Sequence, residues 1–253
     1  KIGLHSFRHD NMNIKIAIIA PFYNESKNLN KTLYYIKTLS TYYEYEFELF
    51  LHDDNSTDDS QIIIDNFVNT NNLKITILKN NKENLGHGRS LIRLKNEVIK
   101  DKSFNYIATL DADLNIEFES FINLFSNLEK NQIIIGKRKR FNDGIFRSFI
   151  TLILELIVFL RNKYFWRDVN CPVRIYPFDK FVYIWSRIPD NSLIPNVHVT
   201  EIILEKNLLY LRIQIPELNL VKNSGVTWSN LSLVSKYKRL VNFCFEAYKE
   251  LKT

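Results

Sequence analysis

The sequence predicts an α/β protein with a mostly parallel sheet and helices on both faces. Three observations point there. Short apolar runs rich in β-branched residues recur along residues 14–136, too continuous for half-exposed strands. Stretches of helical length separate them. Carboxylates, amides and glycines cluster just beyond the runs, at the strand ends where open α/β sheets bind ligands.

Ile14–Ala20 (IKIAIIA) is the first buried strand, ending at Pro21, and a helix follows over about Leu29–Leu39. Phe47–His52 (FELFLH) is the second strand. Ser56 or Thr57 is expected to cap the next helix, which runs to about Val68 with aspartates favoured in its first turn. Leu73–Leu78 is the third strand. Asn84–Ser90 is a loop leading into a helix through Ile99. Its Gly86 and Gly88 let backbone approach a ligand closely, and Arg89 is placed to meet a phosphate there. A plain turn accounts for this loop equally well.

Tyr106–Leu110 is the fourth strand, with Ile107, Ala108 and Leu110 expected in the interior. It runs into Asp111-Ala112-Asp113-Leu114-Asn115. Two carboxylates so close repel each other unless a cation or proton lies between them. Hard oxygen ligands of this kind suit Mg²⁺ or Mn²⁺, and Mg²⁺ typically takes one or two carboxylates plus substrate phosphates. The competing reading is a solvated turn that holds two aspartates by chance.

A helix over Glu117–Leu128 precedes the fifth strand, Gln132–Gly136, and then Lys137-Arg138-Lys139-Arg140 places four cations at an expected strand tip. Such a run is either a solvated face or one wall of the cleft that holds the acids. No nucleic-acid module surrounds it, and no nucleic-acid partner is expected. Ile145–Asn162 is the most apolar segment, too short and too interrupted by polar residues for a bilayer span of ~20 residues. A partly buried helix lying in a membrane interface is preferred to a core helix. Leu231–Leu251 reads as another amphipathic helix.

With 253 residues the chain is long enough for one large α/β domain or two small ones. Hydrophobic residues at 45% and charged residues at 25% are ordinary globular values. Lys and Arg number 34 against 28 acids, and the net charge of +6 favours an anionic partner. Cys171 and Cys244 make no disulfide framework, so a reducing compartment is expected. Residues 1–11 lack periodicity and are read as extraneous or disordered, with Met12 as the natural start. One domain is expected over 12–230, followed by the amphipathic helix of 231–253 on the domain or a membrane surface.

Together the motifs resemble an inverting family 2 glycosyltransferase of the GT-A fold, a Rossmann-like sheet. They are APFYNES at 20–26, DDNSTDDS at 53–60, ENLGHGRSL at 83–91, DADLN at 111–115 and GKRKR at 136–140. RDVNCPVRIYP at 167–177 and the stretch from IPE at 215–217 to NSGVTWS at 223–229 resemble the dolichol- or polyprenyl-phosphate sugar synthase branch. The resemblance implies a metal-dependent hexosyltransferase that uses a UDP- or GDP-sugar and Mg²⁺ or Mn²⁺.

It also implies roles at matching positions. Pro21, Tyr23, Asn24 and Glu25 would line the base and ribose, with Asp53 or Asp54 contacting the base. Gly86 to Arg89 would shape the sugar side of the pocket. Asp111, Ala112 and Asp113 would handle the diphosphate, and Asp111, Asp113 and Asn115 the metal. Arg138, Arg147 and Arg174 would face phosphates of donor or acceptor.

Many family members carry an acidic pair that serves as base toward a hydroxyl acceptor. Residues 194–201 (IPNVHVTE) lack it, leaving Glu201 or His198 as candidate bases. A phosphate acceptor is already anionic and needs no base. That favours a lipid phosphate at the cytoplasmic, inner face of a membrane, with peripheral contact. Lys222-Asn223-Ser224-Gly225 departs from an arginine-containing version common in the branch. The alternatives are the same chemistry on a saccharide hydroxyl in surface-glycan assembly, or a non-catalytic nucleotide-sugar-binding protein. A nucleotidyltransferase would carry a glycine-rich, lysine-bearing loop after the first strand, which is missing here.

Overall fold

The computed structural model of the chain describes residues 13–79, 83–129, 131–139, 145–216 and 233–252. Seven strands form one sheet: β1 (Lys15–Phe22), β2 (Glu46–Asp53), β3 (Lys74–Lys79), β4 (Tyr106–Thr109), β5 (Ile133–Lys139), β6 (Arg174–Pro177) and β7 (Tyr210–Pro216). Their order is β3-β2-β1-β4-β6-β5-β7. β6 runs antiparallel to both of its neighbours, and the other pairings are parallel.

The helices are α1 (Ser26–Tyr42), α2 (Ser60–Thr70), α3 (His87–Val98), α4 (Phe118–Phe125), α5 (Ile145–Asn162), α6 (Phe178–Trp185) and α7 (Pro195–Glu205). The C-terminal helix, α8, spans Leu233–Lys252.

The period-2 alternation of strands sorts the apolar runs into two cores. Ile16, Ile18 and Ala20 of β1 join Leu49, Leu51 and the apolar stripes of α1, α2 and α4. Ala17 and Ile19 face the other way, with Phe50, Ile107 and residues of α3, α5, α6 and α7. Both faces of β1 are therefore covered, which is why its sequence reads as a continuous apolar run. Each fully buried isoleucine in it contributes roughly 1.5–3 kcal/mol. In α1, Leu29, Leu33, Ile36 and Leu39 are buried at helical spacing, and of the polar residues between them only Thr32 is buried with them.

Strand order reverses at β1: β2 and β3 extend to one side and β4 lies on the other. The crevice beyond the carboxyl ends of β1 and β4 is thus a topological switch point, where such sheets bind ligands.

Several expectations are revised. α2 starts at Ser60, without a side-chain cap bond from Asp59 and with no acid in its first turn. Ser56 serves the loop after β1 instead, and Asp58 serves both, accepting from the N–H groups of Ser60 and Ser26. β5 does not stop at Gly136: Lys137 and Arg138 lie within the strand, opposite Gln214 and Ile215, because β7 pairs along this length. β6, α6, α7 and β7 are elements that local periodicity did not announce. The stretches 217–232 and 140–144 fall outside the described residues, and with them most of the IPE-to-NSGVTWS motif, Arg140 and the boundary at 230.

α5 packs Leu154 and Val158 into the core, yet Phe149, Leu152, Leu156, Phe159 and Leu160 are exposed along it. Val241, Phe245 and Tyr248 of α8 are exposed as well. Among the described residues no helix is long and apolar enough to cross a membrane.

Candidate active site

The acidic loop is anchored from two sides. The Leu110 N–H donates to Ile19 O of β1. From α1, Thr32 Oγ1 donates to Ala112 O at 2.6 Å and Lys31 Nζ to Leu114 O at 3.2 Å. Ala112, Leu114 and Ile116 are buried, whereas Asp111, Asp113 and Asn115 are half-buried. The apolar side chains pin the loop, and the three oxygen-bearing ones remain at the rim of the crevice.

The loops after β1 and β2 are laced together. Asn24 holds a positive φ of 55°, a conformation that asparagine tolerates. Its N–H donates to Ser56 Oγ, and its Oδ1 accepts from the Thr57 N–H at 2.8 Å. The Glu25 N–H donates to Ser60 Oγ and the Ser26 N–H to Asp58 Oδ2. The open N–H groups at the start of α1 are therefore satisfied from the neighbouring loop. Burial raises the Asp58 carboxyl, but hydrogen bonds from Ser60 and Ser26 outweigh it and leave Asp58 more acidic than usual. Glu25 goes the other way. Burial pushes its carboxyl up to about 7, reinforced by Asp113, Asp111 and Asp58 and opposed by a hydrogen bond from Asn28. Four carboxylates thus share one field at the mouth of the switch point.

Asp53 and Asp54 have different tasks. Asp53 Oδ1 accepts from the Ser56 N–H. Asp54 is buried, and its two oxygens accept from the Leu85 and Gly86 N–H groups at 2.7 and 2.8 Å. Asp54 therefore fixes the loop before α3. Gly86 adopts φ 87°, a region closed to most side chains. Gly88 makes a close approach, but to the chain itself: a Cβ there would lie 2.6 Å from Ser192 O and 2.7 Å from Leu193 O. This revises the expectation of close ligand approach at Gly88. Between the two glycines, His87 Nε2 stands 3.5 Å from Asp111 Oδ1. Arg89 is exposed on the first turn of α3.

The remaining predicted residues separate. Arg138 is nearly buried in a two-pronged ion pair with Asp168. Burial opposes its charge, and Asp168 overcomes that, with Asp111 adding attraction. Arg138 is thus in electrical contact with the acids, but its guanidinium is already matched by a carboxylate. Arg174 is fully buried and donates to Cys171 O, Val169 O, Asn196 O and Thr200 Oγ1. It knits β6 to α7 beneath the crevice, a framework position rather than the open, phosphate-facing one expected. Glu201 is nearly buried and paired with Arg161 Nε at 2.8 Å. Burial raises its carboxyl, and Arg161 and His198 counter in part. His198 Nε2 lies 2.9 Å from Glu250 Oε1, joining α7 to α8. Arg147 belongs to α5, but its side chain falls outside the described residues.

The Glycosyl transferase family 2 model matches residues 17–181, well over half the chain. The chain belongs to this family.

Among its family 2 relatives is the undecaprenyl-phosphate 4-deoxy-4-formamido-L-arabinose transferase of Photorhabdus laumondii. It is 30% identical over 168 residues, covering 64% of this chain and 49% of the relative. The dodecaprenyl-phosphate galacturonate synthase of Rhizobium johnstonii is 23% identical over 166 residues, covering 64% and 48%. The chain spans about half the length of these curated relatives. By fold it resembles glucosyl-3-phosphoglycerate synthase of Mycobacterium tuberculosis, solved with Mn²⁺, UDP-glucose and phosphoglyceric acid. That TM-score is 0.61 at 12% identity, covering 94% of this chain and 78% of that one. A Pyrobaculum calidifontis mannosyltransferase solved with GDP-mannose and Mn²⁺ gives 0.57 at 14% identity, covering 84% and 59%. The sheet is that of GT-A glycosyltransferases.

The donor set of this family 2 chain fits a divalent cation. Asp111 and Asp113 supply hard oxygens, and Asn115 Oδ1 is buried with no hydrogen-bond partner among the described residues. Among the described residues no three acidic, histidine or cysteine side chains form a set that could hold an ion by themselves. An open shell of this kind leaves coordination positions for diphosphate oxygens and water.

Lys31, Asp58, His87 and Asp168 were missed as individual site residues. His87 and Asp58 lay inside quoted motifs, and Asp168 inside the 167–177 motif. Lys31 carried no signal beyond its place on a helix face.

Proposed function

We propose that this chain transfers a sugar from a nucleoside-diphosphate sugar to a polyprenyl phosphate, in a metal-dependent, inverting reaction at a membrane surface. The observation that carries the reading is the placement of Asp111 and Asp113 at the β1/β4 switch point, in one field with Glu25 and Asp58. Asp111 and Asp113, with Asn115 beside them, would hold Mg²⁺ or Mn²⁺. When bound, the ion supplies positive charge against the charge that grows on the departing diphosphate.

The chain's own residues do the rest. Pro21, Tyr23, Asn24 and Asp53 line the base and ribose, held in place by the Ser56, Thr57 and Ser60 bonds. Gly86, His87 and Arg89 border the diphosphate and sugar, and buried Ala112 anchors the acidic loop that the nucleotide meets. The acceptor phosphate oxygen attacks the anomeric carbon from the face opposite the diphosphate. The new carbon–oxygen bond forms as the bond to the diphosphate breaks, and its electron pair leaves with the diphosphate oxygen. No proton has to be removed from such an acceptor. This agrees with Glu201 and His198 being tied up with Arg161 and Glu250. Names of the curated relatives support the acceptor class, and the exposed stripe on α5 supports docking at a lipid surface.

The test is incubation with radiolabelled UDP- and GDP-sugars, offering undecaprenyl phosphate or free glycan as acceptor. Label is expected in the lipid extract, dependent on Mn²⁺ or Mg²⁺. Asp111→Ala and Asp113→Ala are expected to lower turnover by about 10²–10³-fold. Both side chains are half-exposed, so folding should persist. Label in free glycan overturns the acceptor assignment, and full turnover in either variant overturns the metal role.

A further inference from the structure

We propose that His87 Nε2 ligates the same divalent ion as Asp111, giving the site a nitrogen donor that favours Mn²⁺ over Mg²⁺. The inference rests on the metal reading above. His87 Nε2 and Asp111 Oδ1 are 3.5 Å apart, with the side chains 47% and 31% exposed. That separation is long for a hydrogen bond, whose usual range ends near ~3.2 Å. It suits two ligands of one ion: with metal–ligand bonds of ~2.1 Å, neighbouring ligands stand ~3 Å apart and opposite ones ~4.2 Å. Both side chains reach the cleft, so an ion has access.

An exposed histidine–aspartate pair is by itself weak, of order 0–1 kcal/mol. The position of His87, however, is set by three restraints that do not involve Asp111. The Asp54 carboxylate captures the two N–H groups before it. Gly86 takes φ 87° to turn the chain into α3. Gly88 wedges the first turn against the Ser192 and Leu193 carbonyls. Asp111 is fixed independently, through β1 and α1. Two separately held side chains thus converge to a distance beyond a close hydrogen bond, as preformed ligands do. An imidazole donor is tolerated by Mn²⁺ and poorly suited to Mg²⁺, which prefers oxygen.

The experiment uses the full chain with Mn²⁺ and UDP, and in parallel GDP, read by electron spin-echo envelope modulation. A ¹⁴N coupling typical of ligated imidazole is expected in the wild type and lost in His87→Ala and His87→Gln. Mn²⁺ affinity in the presence of nucleotide is expected to fall by about tenfold or more. Mg²⁺ affinity is expected to change less, so the Mn²⁺/Mg²⁺ preference drops. Bound Mn²⁺ without ¹⁴N coupling, or coupling that survives in both variants, overturns the role of His87 while the acid site stands. A wild type that does not bind Mn²⁺ with either nucleotide overturns the metal reading and this inference together.

Discussion

Arg138 and Asp168 meet in a bidentate ion pair, Nε to Oδ2 at 2.9 Å and Nη2 to Oδ1 at 2.7 Å. The side chains are 8% and 6% exposed. Asp168 holds φ 59°, and its N–H donates to Glu155 Oε1 of α5 at 2.7 Å. One residue thereby ties three elements together: its carboxylate holds β5 and its backbone N–H holds α5, both to the loop before β6. Asp168→Ala leaves a buried guanidinium without its matching charge and is expected to cost about 3–5 kcal/mol. Replacing both partners, as Arg138→Met with Asp168→Asn, which tolerates that φ, is expected to recover most of that. Urea unfolding midpoints of the three proteins check this.

The two glycines flanking His87 fail for different reasons. Gly88→Ala drives a Cβ into backbone carbonyls that cannot swing aside, costing about 1–3 kcal/mol. Gly86→Ala meets open space, and its cost, again about 1–3 kcal/mol, is torsional. Thermal melts give both losses. Gly88→Ala is also expected to raise KM for the donor, since the start of α3 has to shift away from Ser192.

Glu25 predicts a pH dependence. Its carboxyl is raised from 4.5 to about 7 in the folded chain. Between those values the folded state binds more protons at this site than the unfolded state. The contribution of Glu25 to stability is therefore largest below 4.5 and is lost as pH rises to about 7. Glu25→Gln is expected to gain on the wild type across that window, in metal-free buffer. Denaturation at a series of pH values checks the sign, and a difference that does not change with pH contradicts it.

Leu152 and Leu156 stand 58% and 53% exposed on α5. If this stripe seats in lipid, Leu152→Glu with Leu156→Glu is expected to weaken vesicle binding by about tenfold per leucine. The melting temperature should stay nearly unchanged, because neither side chain is in the core. Co-sedimentation with anionic vesicles measures the first quantity and calorimetry the second.

The first four strands were legible because each carries a mostly apolar, β-branched or aromatic run, with β1, β2 and β4 buried along nearly their whole length. α1, α3, α4 and α5 were legible from their length and spacing. β6 was not. It is four residues long, and its place between β4 and β5 depends on pairing Arg174 with Thr109 and Ile135, a relation no local pattern encodes. The acid pair announced itself by charge repulsion. The burial of Arg174 and the loop-holding task of Asp54 did not, because both residue types are usually solvated and their burial here depends on groups brought in from distant stretches, Asn196 and Thr200 for Arg174 and the Leu85 and Gly86 N–H groups for Asp54.

The inverted β6 also shapes how the chain is assembled on the ribosome. β5 touches the first four strands only across those four residues, so it has no docking place when it emerges. Synthesis continues for about 40 residues before its bridge exists, about 2–8 s at common elongation rates. The edge of β4 stays open throughout that interval, and the apolar α5, made within it, is complete before β6 arrives.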